Sequence, residues 1–132
     1  MSKIIYDCKF LRTELIENKR VFVNTWSTED MEPNDFMKCM QDVADLCEKY
    51  QPRGIVVNTK QFGFTIPVEV QEWYDKTIVP IHIDAGIKKM AFVMNEDILT
   101  QVSIELTMEE EKAAQAIDTK FFATVEDALA WM

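Results

Sequence analysis

Glycine and proline are scarce in this sequence, which has only 3 Gly and 4 Pro in 132 residues. So few turn-forming residues leave little room for long loops, low-complexity linkers or a glycine-rich phosphate-binding loop. Hydrophobic residues make up 48% of the chain and charged residues 28%, which is typical of a globular protein. We therefore expect residues 1–132 to form a single domain with a sizeable core.

Long apolar runs are also missing. Charged and polar residues interrupt residues 1–25, so we expect no secretory signal, and no stretch approaches the roughly 20 apolar residues of a membrane-spanning helix. The 3 cysteines, Cys8, Cys39 and Cys47, are odd in number and lack CxxC spacing. This pattern is typical of buried, reduced thiols in a cytoplasmic protein.

Positive charge is in short supply, because 14 Lys and Arg residues face 23 Asp and Glu residues and give a net charge of −9. Nucleic acids and anionic membranes both require clustered Lys and Arg, so neither is an expected partner. The acid is concentrated between Glu96 and Lys112, where the sequence has six acidic residues and one basic residue. Such a cluster is usually a solvated helix face, and the alternative is a surface for a basic partner.

Residues for catalysis or metal binding are few. His82 is the only histidine, and it has no Cys or carboxylate partner at a metal-ligand spacing. No nucleophile–base pair is recognisable, so we predict neither catalytic residues nor a cofactor or metal. Glu96 and Asp97 have the chemistry to coordinate a hard cation, but the favoured interpretation is negative charge at the start of a helix.

Alternating and helical patterns predict the secondary structure. The predicted elements are an antiparallel hairpin (10–17 and 20–26) that residues 4–5 extend or lead into, a helix (33–50), a strand (54–59), a helix from Pro67 that Pro80 kinks or divides and Gly86 ends, a strand (90–94), one or two helices (97–116), a strand (117–122) and a terminal helix from Thr124. Strands that alternate with helices imply parallel pairing through right-handed crossovers. We therefore predict an α/β domain with a mixed sheet, in which an N-terminal antiparallel hairpin is followed by β-α-β crossovers.

Three segments carry a likeness to a known family: GIVVNTKQFGFTIPVEVQEWYDK, AGIKKMAFVMNED and FFATVEDALAWM. Together with the order of the elements, they resemble the STAS domain, and within it the SpoIIAA-like group. STAS domains include anti-sigma-factor antagonists, in which a kinase phosphorylates a serine of an acidic-Ser-Ser-Gly signature at a helix start. This sequence has Phe64-Thr65-Ile66-Pro67 near that place and lacks the signature. Thr65 is read either as a helix N-cap or as a phosphoacceptor.

The loop after the central strand offers the main candidate surface. Phe62 and Phe64 either fold back onto the sheet edge or join Trp73 and Tyr74 in an exposed apolar patch. Ligands of open α/β sheets lie beyond the carboxyl ends of the strands. We also expect Asn95 to cap the helix that follows it. The rim at those strand ends contains Asn58, Thr59, Lys60, Asn95 and Glu96.

These patterns favour a non-enzymatic cytoplasmic interaction module. The predicted docking surface is the 61–67 loop with the following helix, and Phe62, Phe64, Trp73 and Tyr74 supply its apolar contacts. The expected partner is another protein or a second copy of the chain in a homodimer. The alternative is a domain that binds a small apolar or amphipathic, lipid-like molecule, and it requires an interior cavity between the sheet and the helix that contains Pro80.

Overall fold

The computed structural model describes residues 2–132. The elements in chain order are β1 (Ser2–Asp7), β2 (Leu11–Ile16), β3 (Val21–Trp26), α1 (Pro33–Tyr50), β4 (Gly54–Asn58), α2 (Val68–Trp73), a π-helical turn (Tyr74–Ile78), α3 (Val79–Ala85), β5 (Lys89–Val93), α4 (Ile98–Met108), α5 (Glu111–Ala116), β6 (Asp118–Phe122) and α6 (Val125–Trp131). The strands form one sheet in the order β1-β2-β3-β4-β5-β6, with antiparallel pairing from β1 to β3 and parallel pairing from β3 to β6. The predicted α/β fold with a mixed sheet is therefore confirmed.

The N-terminal hairpin follows the alternation of the sequence. In β2, Leu11 and Leu15 are buried and Arg12 is exposed, as the period of two in a half-buried strand requires. Arg20 takes a left-handed φ of 56° in the turn that leads into β3. Residues 2–7 form a complete third strand, so the short lead-in predicted at residues 4–5 is longer than expected.

Helices α1 to α5 cover one face of the sheet, and α6 covers the other. Strand β4 shows the division, because Ile55 and Val57 belong to the large core beneath α1 and α3, whereas Val56 belongs to the smaller core beneath α6. Successive strand residues point to opposite faces, so a central strand covered on both sides is apolar throughout.

Pro80 accompanies a break in the long helix between β4 and β5, as predicted. Helix α2 ends at Trp73, the π-helical turn follows, and Pro80 then occupies an early position in α3. Proline lacks an N–H and its ring clashes with the carbonyl four residues earlier, which a wider turn at that point relieves. The predicted cap at Gly86 is confirmed, since this residue ends α3 with a left-handed φ of 97°.

The segment 97–116 forms two helices, α4 and α5, as one of the two predicted arrangements required. Asp75 of the π-helical turn caps the second of them, because its carboxylate accepts the N–H groups of Lys112 and Ala113 at 3.1 and 2.8 Å. None of the helices in residues 2–132 has the length and apolar content needed to cross a membrane.

Candidate functional site

Phe62 and Phe64 lie in the core rather than on the surface. Only 4% of Phe62 and 8% of Phe64 is exposed. The ring centroid of Phe62 lies 4.8 Å from that of Trp26 at the end of β3, and the centroid of Phe64 lies 5.2 Å from that of Phe36 in α1. The exposed patch predicted for these two rings is therefore wrong, because the loop folds back over apolar partners that β3 and α1 supply.

The other two residues predicted for partner binding do not extend such a patch. Tyr74 is buried, and its hydroxyl lies 3.8 Å from the sulfur of Met90. Trp73 is partly buried and packs against the large core. Adjacent helical residues point about 100° apart, which separates these two side chains. The four predicted residues therefore share no exposed surface.

The predicted rim residues come together at the carboxyl ends of β4 and β5, where they hold the loop. The amide nitrogen of Asn95 donates to the carbonyls of Thr59 and Phe62 at 2.7 and 2.8 Å. The hydroxyl of Thr59 donates to the carbonyl of Val93 at 2.6 Å. The carboxamide oxygen of Asn58 accepts the N–H of Lys60 at 3.1 Å, and the side chains of Lys60 and Glu96 are exposed.

Two predicted helix caps are wrong. Asp97, not Asn95, caps α4, and its carboxylate accepts the N–H and the hydroxyl of Thr100 at 3.0 and 2.7 Å. These hydrogen bonds from Thr100 lower the pKa of Asp97. Pro67, not Thr65, holds the N-cap position of α2. The Thr65 residue is exposed, with its hydroxyl oxygen 3.2 Å from that of Thr100.

Helix α4 turns polar side chains toward the protein. The hydroxyl of Ser103 accepts the N–H of Ile66 at 3.0 Å, and the hydroxyl of Thr107 donates to the carbonyl of Ser103 at 2.7 Å. Buried polar groups are stable when they are hydrogen-bonded in this way. The buried polar residues of α4 are Thr100, Gln101, Ser103 and Thr107.

The solvent side of α4 is aliphatic, and we call its four exposed apolar residues the α4 outer face. Their exposed fractions are 77% for Ile98, 71% for Leu99, 43% for Val102 and 46% for Leu106. At about 100° per residue these positions share one stripe of the helix. Single exposed apolar residues are ordinary, but a contiguous stripe is typical of an interaction site.

The charged residues of α4 and of the positions that flank it in the sequence are all negative. Glu96 precedes the helix, Glu105 lies beside the stripe, and Glu109 follows the last helical residue. The sequence has no Lys or Arg between Asn95 and Glu111. The surface is therefore an apolar strip within an acidic border.

Sequence reasoning missed this face because two stripes of α4 have similar spacing. Ile98, Val102 and Leu106 recur at every fourth position, but so do Ile104 and Met108, which are buried. Periodicity finds both stripes and does not say which one contacts the core. The signal that separates them is the row of hydroxyl residues beside the buried pair.

An interior cavity of about 50 Å³ lies in the large core, between the sheet and the helices on the α1–α5 side. Tyr74 of the π-helical turn, His82 of α3 and Ile104 of α4 line it. Aromatic, aliphatic and methionine side chains make up most of the remaining wall, and none of the lining residues is charged. The cavity has the location that the ligand-binding alternative requires, between the sheet and the helix with Pro80.

His82 is the unusual residue of this cavity. It is 3% exposed, and its Nδ1 atom has no hydrogen-bond partner in the described part of the chain. Burial lowers the pKa of His82 to about 4, so the imidazole is neutral at pH 7. Buried nitrogen and oxygen atoms almost always have a partner. The Nδ1 atom is thus a free hydrogen-bonding group at a cavity whose wall is mostly apolar.

Among residues 2–132, no three or more His, Cys, Asp and Glu side chains are grouped so as to hold a metal ion. Comparison with known proteins gives no assignment: no family model matches, and no match was found among curated proteins or solved structures. The STAS resemblance therefore stays a prediction.

Proposed function

We propose that the chain is a non-enzymatic interaction module of the cytoplasm that docks a protein partner through the α4 outer face. The observation that carries the proposal is the exposure of four aliphatic side chains on a helix whose buried side is hydroxyl-rich. Leaving Ile98 and Leu99 in water costs about 1.5–3 kcal/mol each relative to burying them. A partner that covers the stripe recovers that free energy.

The acidic border supports a partner with positive charge. A helix with an apolar stripe between Lys and Arg residues would bury its stripe on the α4 outer face and place its cations beside Glu96, Glu105 and Glu109. A second copy of the chain would bring two acidic borders together, and an anionic membrane would also be repelled. The partner class is therefore a basic amphipathic segment of another protein.

The test uses a synthetic amphipathic helix with leucines on one face and lysines on the other. We expect it to bind the wild-type chain and to bind the double variant Leu99→Ser with Val102→Ser about tenfold more weakly or worse, because the apolar contact is lost. Fluorescence anisotropy of the labelled peptide measures both dissociation constants. Raising the salt concentration is expected to weaken binding to the wild type.

Two controls accompany this experiment. Ile4→Ser changes an aliphatic residue of β1 that is 55% exposed, and it should leave peptide binding unchanged. The same peptide with glutamates in place of lysines should not bind. Equal weakening by Ile4→Ser, or a glutamate peptide that binds as well, would refute the proposal. A dimer in sedimentation that the double variant dissociates would instead assign the face to self-association.

A second candidate function is the binding of a small neutral molecule in the interior cavity. The free Nδ1 of His82 favours it, because a hydroxyl or carbonyl group of a ligand could pair with that nitrogen. An apolar cavity of ~150 Å³ is large enough for benzene, so a cavity of about 50 Å³ suits a smaller ligand. The flexible side chains of Met40, Met90 and Met108 line the wall and can rearrange to admit more.

Titration with ethanol, followed by the NMR signals of the methionine methyl groups, tests this candidate. We expect shifts that saturate in the wild type and disappear in Ile104→Phe, which fills the cavity. Leu106→Phe is the matched control, because it places the same ring on the exposed side of the same helix and should leave the shifts intact. Shifts that grow linearly without saturation in all three proteins would exclude a binding site.

A further inference from the structure

Two cysteine side chains lie close together between the N-terminal hairpin and α1. Cys8 is exposed and lies in the connection between β1 and β2, and Cys39 is buried on the inner side of α1. Their sulfur atoms are 3.9 Å apart, although 31 positions separate the two residues in the sequence. The burial predicted for Cys8 is thus wrong, since the turn leaves its side chain open to solvent.

The surroundings hold the two thiols in place. The N–H of Cys8 donates to the carbonyl of Leu11 at 3.0 Å, which fixes the turn. Beside the pair, the hydroxyl of Tyr6 donates to the carboxylate of Asp42 at 2.8 Å and links β1 to α1. The same carboxylate accepts a hydrogen bond from Lys38 at 3.0 Å. The distance between the sulfurs therefore depends on hydrogen bonds in the β1–β2 connection and between β1 and α1.

The two thiols differ in acidity. Burial acts to raise the pKa of Cys8, but hydrogen bonds to its sulfur from the backbone at Phe10 and at Leu11 act against it, and the pKa lies below the ordinary value. Burial raises the pKa of Cys39 to about 12. Thiolates, not thiols, are the nucleophiles in cysteine oxidation. Cys8, which also contacts solvent, is thus the residue that an oxidant meets first.

We propose that Cys8 and Cys39 form an oxidation site whose product is an intramolecular disulfide between the β1–β2 connection and α1. The oxidant is a peroxide. The Cys8 sulfur attacks one peroxide oxygen, the O–O bond breaks, and a sulfenic acid and one water form. The Cys39 sulfur then attacks the Cys8 sulfur, the S–O bond breaks, and the hydroxyl leaves as a second water with the Cys39 proton. Two thiols are oxidised by two electrons and hydrogen peroxide is reduced to two waters.

A disulfide at this place requires little rearrangement. A sulfur–sulfur bond is about 2.05 Å long, so two sulfurs that are 3.9 Å apart must approach each other by roughly 1.9 Å. Rotation of the exposed Cys8 side chain can supply this movement without disturbing the turn, whereas Cys39 is buried on the inner side of α1. The third cysteine, Cys47, is fully buried on α1 and takes no part in the sulfur–sulfur contact.

The experiment treats the purified full chain with hydrogen peroxide and measures its intact mass and free thiols. We expect the wild type to lose the mass of two hydrogen atoms and two free thiols, to remain a monomer on a non-reducing gel, and to return to its starting mass with dithiothreitol. Peptide mapping should place the bond between Cys8 and Cys39. The cross-link closes a long loop, so the melting temperature should rise on oxidation.

Matched alanine variants separate the roles of the three cysteines. Cys47→Ala should still form the bond, whereas Cys39→Ala should instead accumulate a Cys8 sulfenic acid that dimedone traps. Retention of all three thiols in the wild type, or a disulfide between two chains through Cys8, would overturn the proposal. The wild-type mass and peptide map decide the matter even where an alanine variant folds poorly.

Discussion

His82 is the residue whose environment departs most from what its neighbours in the sequence suggest. It lies between Ile81 and Ile83 near the end of a helix, a position that predicts no particular role. The π-helical turn and α3 bury it against the ring of Tyr74, with 6.0 Å between the ring centroids. The cost of charging a buried imidazole then makes it sensitive to pH.

Acid should destabilise the fold partly through His82. In the unfolded chain the imidazole has a pKa of 6.5, and in the folded chain the pKa is about 4. Unfolding therefore takes up a proton between these values, so the free energy of unfolding falls as the pH drops from 6.5 to 4, by roughly 3 kcal/mol from this group. Above pH 6.5 the group contributes no pH dependence.

Urea denaturation of the wild type and of His82→Leu at several pH values measures this contribution. The carboxylates titrate in both proteins, so the difference between the two curves isolates the imidazole. We expect the difference to change between pH 6.5 and pH 4 and to stay constant above that range. A difference that does not vary with pH would show that the imidazole is hydrated or paired in solution.

Residues also show where local sequence signals were overridden. Asn95 and Thr65 both have a chemistry that favours helix caps, yet each is used elsewhere. Asn95 fixes the 59–62 loop through two carbonyls, while Asp97 caps α4. A cap is chosen by where the helix begins in three dimensions, and two adjacent candidates cannot be ranked from the sequence alone.

At the scale of elements, the short helix α6 covers one face of the sheet. It has 7 residues, and Ala128 is its one fully buried member. Its underside covers the smaller core, which contains Val21, Val56 and Val93. The small alanine side chain lets the helix approach the sheet closely.

A charge placed at the contact between α6 and the sheet should destabilise the protein. We expect Ala128→Asp to lower the free energy of unfolding by about 3 kcal/mol, because the carboxylate would be buried without a partner. Ala130→Asp makes the same change at an exposed position of the same helix and should lower the free energy of unfolding by only about 1 kcal/mol, from helix propensity and the helix dipole. Chemical denaturation of both variants supplies the comparison. Equal losses would mean that helix propensity, not burial, dominates the effect.

Elements with strong patterns could be predicted, and their relative placement could not. The helix over 33–50 has the bounds that its apolar spacing predicted, and the break near Pro80 follows from proline chemistry. In contrast, nothing in the local pattern said that Phe62 and Phe64 would pack on Trp26 and Phe36. That contact depends on how β3, α1 and the loop meet, which is a tertiary property.

At the scale of the whole molecule, the fold class followed from the alternation of strands and helices. The assignment of α6 to the face opposite the other helices did not, because an amphipathic helix fits either side of a sheet that is apolar on both. The same limit applies to the α4 outer face. Charge and hydropathy mark the candidate surfaces, and only the packing shows which of them remains uncovered.

The linear strand order has a consequence for synthesis on the ribosome. Each strand pairs only with strands adjacent to it in sequence, so the sheet can be assembled progressively as the polypeptide emerges. The face that α1 to α5 cover acquires these helices during this process. The sheet's other face, with four buried valines on β3, β4 and β5, has no cover until residues beyond Phe122 are translated. Nascent chains that stall before that point would expose this apolar valine surface to solvent, and we expect chaperones to bind it.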